Sequence, residues 1–451
     1  MLKQDIETDV LIVGAGPAGV CLAINLGKRN ISTILIDQKP KREVGYKPCG
    51  DALSPNSTRR LFELSGIMQP RGKEIAEHLA TAHFRPVSDF ELSIDFKSQT
   101  VNRLEYGQRL LESLSDYASV SFKSKHKVVE TIIENNKVVG CKVRQYDGKI
   151  INIYAKIVAD CSGVTGIVRR TIPESVSNKF QVKLPKHETI VSYREIIETP
   201  NPHIYQKQMR IEYHDEMPPP GYFWIFSKGE TTLNIGVGWL LNERNKDANT
   251  KLILAQLRNK IFPESKVIDG VGDTLSGRLP QYSMVCNGFI TCGDAATLVN
   301  PISGEGHGPA LISAYFASET IELAIRNQDV SEAFLWRYNI RIWKEYGYDG
   351  GLGIAVHKLL NSVPFSDFSF LFKRGIITQK DVDSIMYDYS VKLPIMQKIF
   401  KGLRKPRLLI KVAKGLLLAE RIKKLSQNYP KEPEKFEKWV KKIKKIEKKK
   451  I

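Results

Sequence analysis

Apolar and polar positions change period several times along the chain, and each change marks an element. Residues 9–13 (DVLIV) read as a short strand, and Gly14-x-Gly16-x-x-Gly19 follows. A helical pattern then runs to Lys28, and a second strand, STILIDQ, reaches Asp37. Residues 149–170 read as a strand entering a glycine turn, and residues 287–325 as strand, turn, the segment SGEGHG and a long helix. Between them, about residues 176–275 alternate apolar with polar positions between Pro and Gly breaks, which predicts a mostly antiparallel sheet. Beyond residue 330 the period is helical, and NYPKEPEK (428–435) separates the last two helices as a linker candidate. The expected organisation is a discontinuous first domain (1–80, 100–175 and 276–330), an inserted β-sheet domain (81–99 and 176–275) and a C-terminal helical region with a basic tail (331–451).

Composition narrows the class without deciding it. A chain of 451 residues, 42% hydrophobic and 26% charged, can fill two or three globular domains. Its six cysteines (Cys21, Cys49, Cys141, Cys161, Cys286, Cys292) are scattered with no C-x-x-C pair, which argues against zinc, iron–sulfur clusters and a disulfide framework. MLKQDIETD carries acids where a signal peptide needs cations, and no stretch approaches the ~18 apolar residues of a membrane span. The expected location is therefore the cytoplasm. The net charge is +19, of which +14 lies in residues 401–451, so the basicity belongs to one region.

The opening unit is built for a dinucleotide. The first glycine allows a tight turn, the second lets backbone approach a pyrophosphate, and the third lets helix pack on strand. The helix N-terminus then faces the phosphates. Asp37 stands 23 residues after Gly14, placed to accept hydrogen bonds from a ribose hydroxyl. Further on, GDAA (293–296) follows an apolar strand, and Gly304-Glu305-Gly306 opens a helix. This makes a second anion-favouring terminus in one chain. The acid Asp294 suits a ribityl chain, and backbone N–H groups near residues 304–308 suit the pyrimidine edge of a reduced flavin.

Taken together, Gly14–Gly19 with Asp37, VNRLEYGQRLLESL with Arg103, ADCSGVTG and CGDAA…PISGEGHG resemble the successive FAD motifs of p-hydroxybenzoate-hydroxylase-type flavoproteins. KPCG and PGYFWIFSKGETTLNIGVG resemble the geranylgeranyl reductases, most of all the archaeal digeranylgeranylglycerophospholipid reductases. Pro220, Tyr222, Trp224, Phe226, Gly236 and Gly238 match that family's P-x-Y-x-W-x-F-P…G-x-G pattern, with Ser227 where the family usually has proline. The resemblance covers roughly residues 8–330. It implies an α/β fold: a Rossmann-type FAD-binding domain, an inserted antiparallel-sheet substrate domain and a C-terminal helical region. It also implies FAD as cofactor, with contacts at Gly14, Ala15, Gly16, Gly19, Asp37, Cys49, Gly50, Arg103, Val128, Asp294, Gly306 and His307. At His307 the backbone is expected to matter.

Tyr222, Trp224 and Phe226 alternate, so in a strand they share one face. Such a stripe serves either core packing or an apolar slot, and the resemblance implies the slot, for a geranylgeranyl chain. The implied reaction adds a hydride from reduced FAD and a proton to an unactivated double bond, with Cys49 either the proton donor or a pocket wall. An ordinary thiol, pKa about 8.5, is too weak an acid to protonate an alkene unaided. With no second G-x-G-x-x-G unit, the electron donor is expected to be transient NAD(P)H or a ferredoxin-like protein. Two competing functions are a monooxygenase on the same fold and a non-catalytic prenyl-lipid carrier; neither a metal nor nucleic acid is expected. The terminal helix, with Phe436, Trp439, Val440, Ile443 and Ile446 opposite lysines, reads either as an interfacial helix for anionic membrane or as a solvated tail.

Overall fold

The computed structural model describes residues 5–53, 55–87, 90–181, 183–381 and 403–451. Two sheets of eight strands each carry the architecture. The first combines β1 (Ile6–Val13), β2 (Thr33–Ile36), β6 (Val120–Lys123), β7 (Lys127–Glu134), β8 (Lys137–Arg144), β9 (Ile150–Asp160), β15 (Val285–Cys286) and β16 (Phe289–Thr291). Its core runs in the order β16-β9-β1-β2-β6 with every pair parallel, and the β7–β8 hairpin extends β9. Registers Val13↔Ile36, Val13↔Asp160 and Thr291↔Asp160 bring four strand ends level, so Gly14, Asp37, Cys161 and Cys292 leave the sheet together. A ligand crevice belongs at such an edge, outside the carboxyl ends of parallel strands where the chain order reverses.

The second sheet runs β14-β10-β13-β12-β11-β4-β5-β3. Its strands are β3 (Ala52–Leu53), β4 (Ile75–Val87), β5 (Phe90–Val101), β10 (Thr189–Glu198), β11 (Gln208–Glu212), β12 (Gly221–Ser227), β13 (Thr232–Leu240) and β14 (Lys266–Ser276). Every pair is antiparallel except β4 with β11. Residues 75–80 and 100–101, placed with the first domain by pattern alone, lie in β4 and β5 of this sheet, where the β4–β5 pairing continues past those boundaries with register irregularities between Ile75 and Glu77 and between Leu79 and Thr81.

Helices α1 (Pro17–Gly27), α2 (Pro55–Ser65), α3 (Arg103–Glu112) and α5 (His307–Arg326) belong to the first domain, and α4 (Thr250–Ile261) backs the second sheet. Then come α6 (Glu332–Ser362), α7 (Phe365–Lys373), α8 (Pro406–Gln427) and α9 (Phe436–Glu447). Residues 382–402 of the C-terminal region lie outside the described residues.

The terminal segment departs from both sequence readings. Phe436, Trp439 and Ile443 are at most 5% exposed, packed with Trp336, Trp343 and Tyr429. The linker candidate is held as well, since the Tyr429 hydroxyl donates to Tyr282 O at 2.7 Å and Trp336 Nε1 to Pro430 O at 2.8 Å. Lifting α9 into a bilayer would break these ring contacts and expose to water the apolar surface of Trp336, Trp343 and Tyr429 that they cover. The apolar face of α9 is core, and only its lysine face meets solvent.

Candidate active site

At the dinucleotide end, Gly14 has φ +100°, and a Cβ on Gly19 would lie 1.8 Å from Gly14 O, so turn and helix contact both require glycine. A Cβ at Gly16 would meet nothing within 4 Å, which leaves open space above the N-terminus of α1. Asp37 accepts from Ala15 N at 2.7 Å and Lys39 N at 2.8 Å, and its backbone O accepts from His126 N at 2.8 Å. Val128, two residues beyond His126, is buried and paired with Val143 in the β7–β8 hairpin.

The other end is assembled from loops of both domains. Asp294 sits in the one-turn helix of GDAA, 8% exposed, and pairs with Lys47. Burial works against the Lys47 charge, but the Asp294 and Asp273 carboxylates outweigh it and raise the lysine pKa. Gly306 abuts Asp294, with its would-be Cβ 3.0 Å from Oδ1, and caps α5. His307 is buried with both ring nitrogens unpartnered. Burial, then the Arg103 and Lys47 charges, hold its pKa well below the usual imidazole value, so the ring is neutral.

Cys49 is half-buried and completes this end. Its Sγ accepts from Arg103 Nη1 at 3.2 Å and Asp51 N at 3.3 Å, while the thiol donates to Asp51 Oδ1 at 3.2 Å. Burial pushes the thiol pKa up and the Asp51 carboxylate adds to this, with Arg103 opposing. Asp51 is itself clamped by Lys228 Nζ at 2.8 Å and Asn234 Nδ2 at 3.1 Å, and Asn234 Nδ2 also donates to Cys49 O at 2.8 Å.

The aromatic stripe forms the facing wall. Ring centroids are 6.1 Å apart for Tyr222–Trp224 and 6.3 Å for Trp224–Phe226. Trp224 Nε1 donates to Asn234 Oδ1 at 2.9 Å, and the Tyr222 hydroxyl to Ser303 O at 2.9 Å, so the stripe is tied to β13 and to the loop ahead of α5. A side chain on Gly50 would strike Phe226 at 2.5 Å, and one on Gly236 would strike Trp224 at 2.2 Å. Ser227, which replaces the family's proline, is fully buried, and its carbonyl accepts from Thr100 Oγ1 at 2.7 Å.

Sequence reasoning passed over Lys47, Asp51, Lys228 and Asn234. Asn234 carried a signal, as a lone amide inside the apolar strand TLNIGVGWL, and it is fully buried. The two lysines carried none, because their carboxylate partners lie far away in the chain.

The residues present fit an FAD. There is open space over Gly16, an acid at a strand end for the ribose, and a second helix terminus flanked by Lys47 and Arg103 for an electron-rich ring edge. His307, the first residue of α5, adds two buried ring nitrogens without a partner.

Comparison with known proteins agrees. The FAD binding domain family matches residues 7–208, and the geranylgeranyl reductase catalytic domain matches residues 189–273. The chain is 28% identical over 438 residues to the digeranylgeranylglycerophospholipid reductase of Sulfolobus acidocaldarius, covering 95% of both chains. It is 26% identical over 392 residues to digeranylgeranylglycerophospholipid reductase 1 of Methanococcoides burtonii, covering 84% of this chain and 88% of the relative. In fold it is similar to a geranylgeranyl bacteriochlorophyll reductase-like protein of Thermoplasma acidophilum, with TM-score 0.75 and 21% identity over 91% of this chain and 100% of the other. A myxobacterial chondrochloren halogenase shares the fold at TM-score 0.64 and 16% identity, over 90% of this chain and 97% of the other. FAD is the cofactor, and the chain joins an FAD binding domain to a geranylgeranyl reductase catalytic domain.

Proposed function

We propose that this protein saturates double bonds in the geranylgeranyl chains of ether lipids, in line with its curated relatives, which are named digeranylgeranylglycerophospholipid reductases. The observation that carries the reading is the junction of an apolar aromatic wall with the Cys49 loop and the α5 terminus. Reduced FAD supplies the hydride when bound. An isolated alkene offers no carbonyl to polarise, so the chain's own contribution is position and exclusion of water. Tyr222, Trp224 and Phe226 hold the prenyl chain flat. Trp224 pairs with Ile211 and Phe226 with Met209 on the next strand, which prolongs the apolar row toward Ala82 and Phe84.

Cys49 is the proton donor in this reading. Its raised pKa keeps the sulfur protonated at neutral pH, as a donor must be. The Arg103 guanidinium and the Asp51 N–H, both on Sγ, receive the thiolate that remains. The proton goes to one alkene carbon as the hydride reaches the other, and the concerted path avoids a free cation. Electrons arrive from transient NAD(P)H or a ferredoxin-like protein, and contact with the membrane is peripheral, since no described helix is long and apolar enough to cross it.

The test is anaerobic. The dithionite-reduced holoprotein is mixed with a digeranylgeranyl phospholipid, and the lipid should gain two hydrogens per double bond. Reoxidation of the flavin only in air, with no gain in lipid mass, would refute the function.

A further inference from the structure

The apolar residues of α8 are not all spent on the core. Leu408, Leu418 and Ile422 are at most 4% exposed and pack inward. On the opposite side, Leu403 (just ahead of the helix), Pro406, Ile410, Ala413 and Leu417 follow one another at spacings of three and four, and all are exposed. Leu403, Ile410 and Leu417 are 59%, 54% and 56% exposed. Such spacing draws one continuous stripe along the helix, on a face that the described residues leave bare. Arg407, Lys414 and Arg421, all exposed, each follow a stripe residue by four, which sets a cationic row beside it. Residues 403–427 hold eight Lys or Arg and one acid, Glu420.

We propose that this outer face of α8, rather than the terminal helix, seats the protein on an anionic lipid bilayer. Charge complementarity selects the occupant. A second copy would bring the same cations against one another, whereas an anionic bilayer offers negative charge over an apolar layer, the pairing that an apolar stripe flanked by Lys and Arg recognises. Position agrees. Leu408, Leu409 and Val412 on the inner side of the same helix pack in one cluster with Phe84 and Leu92. Those two also line a small apolar pocket with Met209 and Ile211, beside the row that leads to Trp224. The docking helix therefore covers the end of the apolar row remote from Cys49. This placement rests on the reductase reading, while the docking surface itself does not.

The experiment is vesicle flotation of the FAD-loaded full chain, without substrate. Wild type should float with phosphatidylglycerol vesicles and not with phosphatidylcholine vesicles, and should be released by salt. Ile410→Glu/Leu417→Glu should weaken binding at least tenfold. Arg407→Gln/Lys414→Gln/Arg421→Gln should weaken it about a hundredfold, at roughly fivefold per cation. Both variants should keep the flavin spectrum, the melting temperature and the rate on detergent-dispersed lipid. Unchanged flotation of both variants would overturn the proposal. So would a wild-type dimer, seen by light scattering, that either variant splits, because the face would then be a self-association surface. A wild type that floats but never reduces lipid would leave docking intact and remove the reductase reading alone.

Discussion

Replacing Lys228 by Met takes away the cation that holds Asp51 beside the candidate thiol. The two side chains are 9% and 8% exposed and meet at 2.8 Å, so the carboxylate left behind keeps only Asn234 and the Cys49 thiol as partners. Removing one member of a buried pair costs about 3–5 kcal/mol, roughly two to three and a half orders of magnitude in the folding constant. Removing both charges avoids the stranded ion, so Lys228→Met/Asp51→Asn should be more stable than Lys228→Met despite carrying an extra substitution. Urea unfolding of the FAD-loaded protein, followed by circular dichroism, measures this. Iodoacetamide supplies a second reading, because the other five cysteines are at most 6% exposed and native-state alkylation reports Cys49. With Lys228 gone, the unbalanced Asp51 charge should push the thiol pKa further up and slow alkylation at a given pH. In Asp51→Asn the like charge is gone, and the pKa should fall. A double variant as unstable as Lys228→Met, or one pH profile shared by all three proteins, would refute the reasoning.

Three further outcomes are expected. Cys49→Ala should keep FAD bound yet lower the rate of lipid reduction tenfold or more; an unchanged rate makes Cys49 a pocket wall. Gly16→Val should fold normally and lose FAD, since the added atoms enter open space where the pyrophosphate passes, while Gly19→Ala should fail to fold, its Cβ colliding with Gly14 O. Expression yield and flavin content of the two separate these effects. Asp349, pushed up to about 7 by burial and then by Glu345 and Glu305, binds its proton more tightly folded than unfolded. Its contribution is therefore complete below about pH 4 and lost as pH rises through 7, at most about 4 kcal/mol, and Asp349→Asn should flatten that slope in denaturant titrations.

The legible parts of the site were those whose chemistry is local. The dinucleotide unit announces itself because turn, helix start and ribose acid fall within one βαβ segment, and the structure places Ala15 N on Asp37. Tyr222, Trp224 and Phe226 were legible as a shared face because strand geometry has period two. What they face was not, since Gly50 and Ser303 arrive from elsewhere in the chain. The terminal helix shows the opposite failure. Its pattern of Trp and Ile against Lys is the same whether the apolar side meets a bilayer or Trp343, and only packing tells them apart.

By itself, then, the sequence determined the order of elements, the FAD-binding unit and the resemblance to the geranylgeranyl reductases, because each rests on residues close together in the chain or on a repeating period. The tertiary structure alone decided how the thiol is held and which helix face remains bare. Arg103, Asp51 and Asn234 reach Cys49 from α3, from its own loop and from β13, Lys228 clamps Asp51 from the end of β12, and no spacing in one dimension encodes a meeting of four elements. The exposed stripe of α8 is likewise a remainder, visible only after the core has taken the apolar residues it needs.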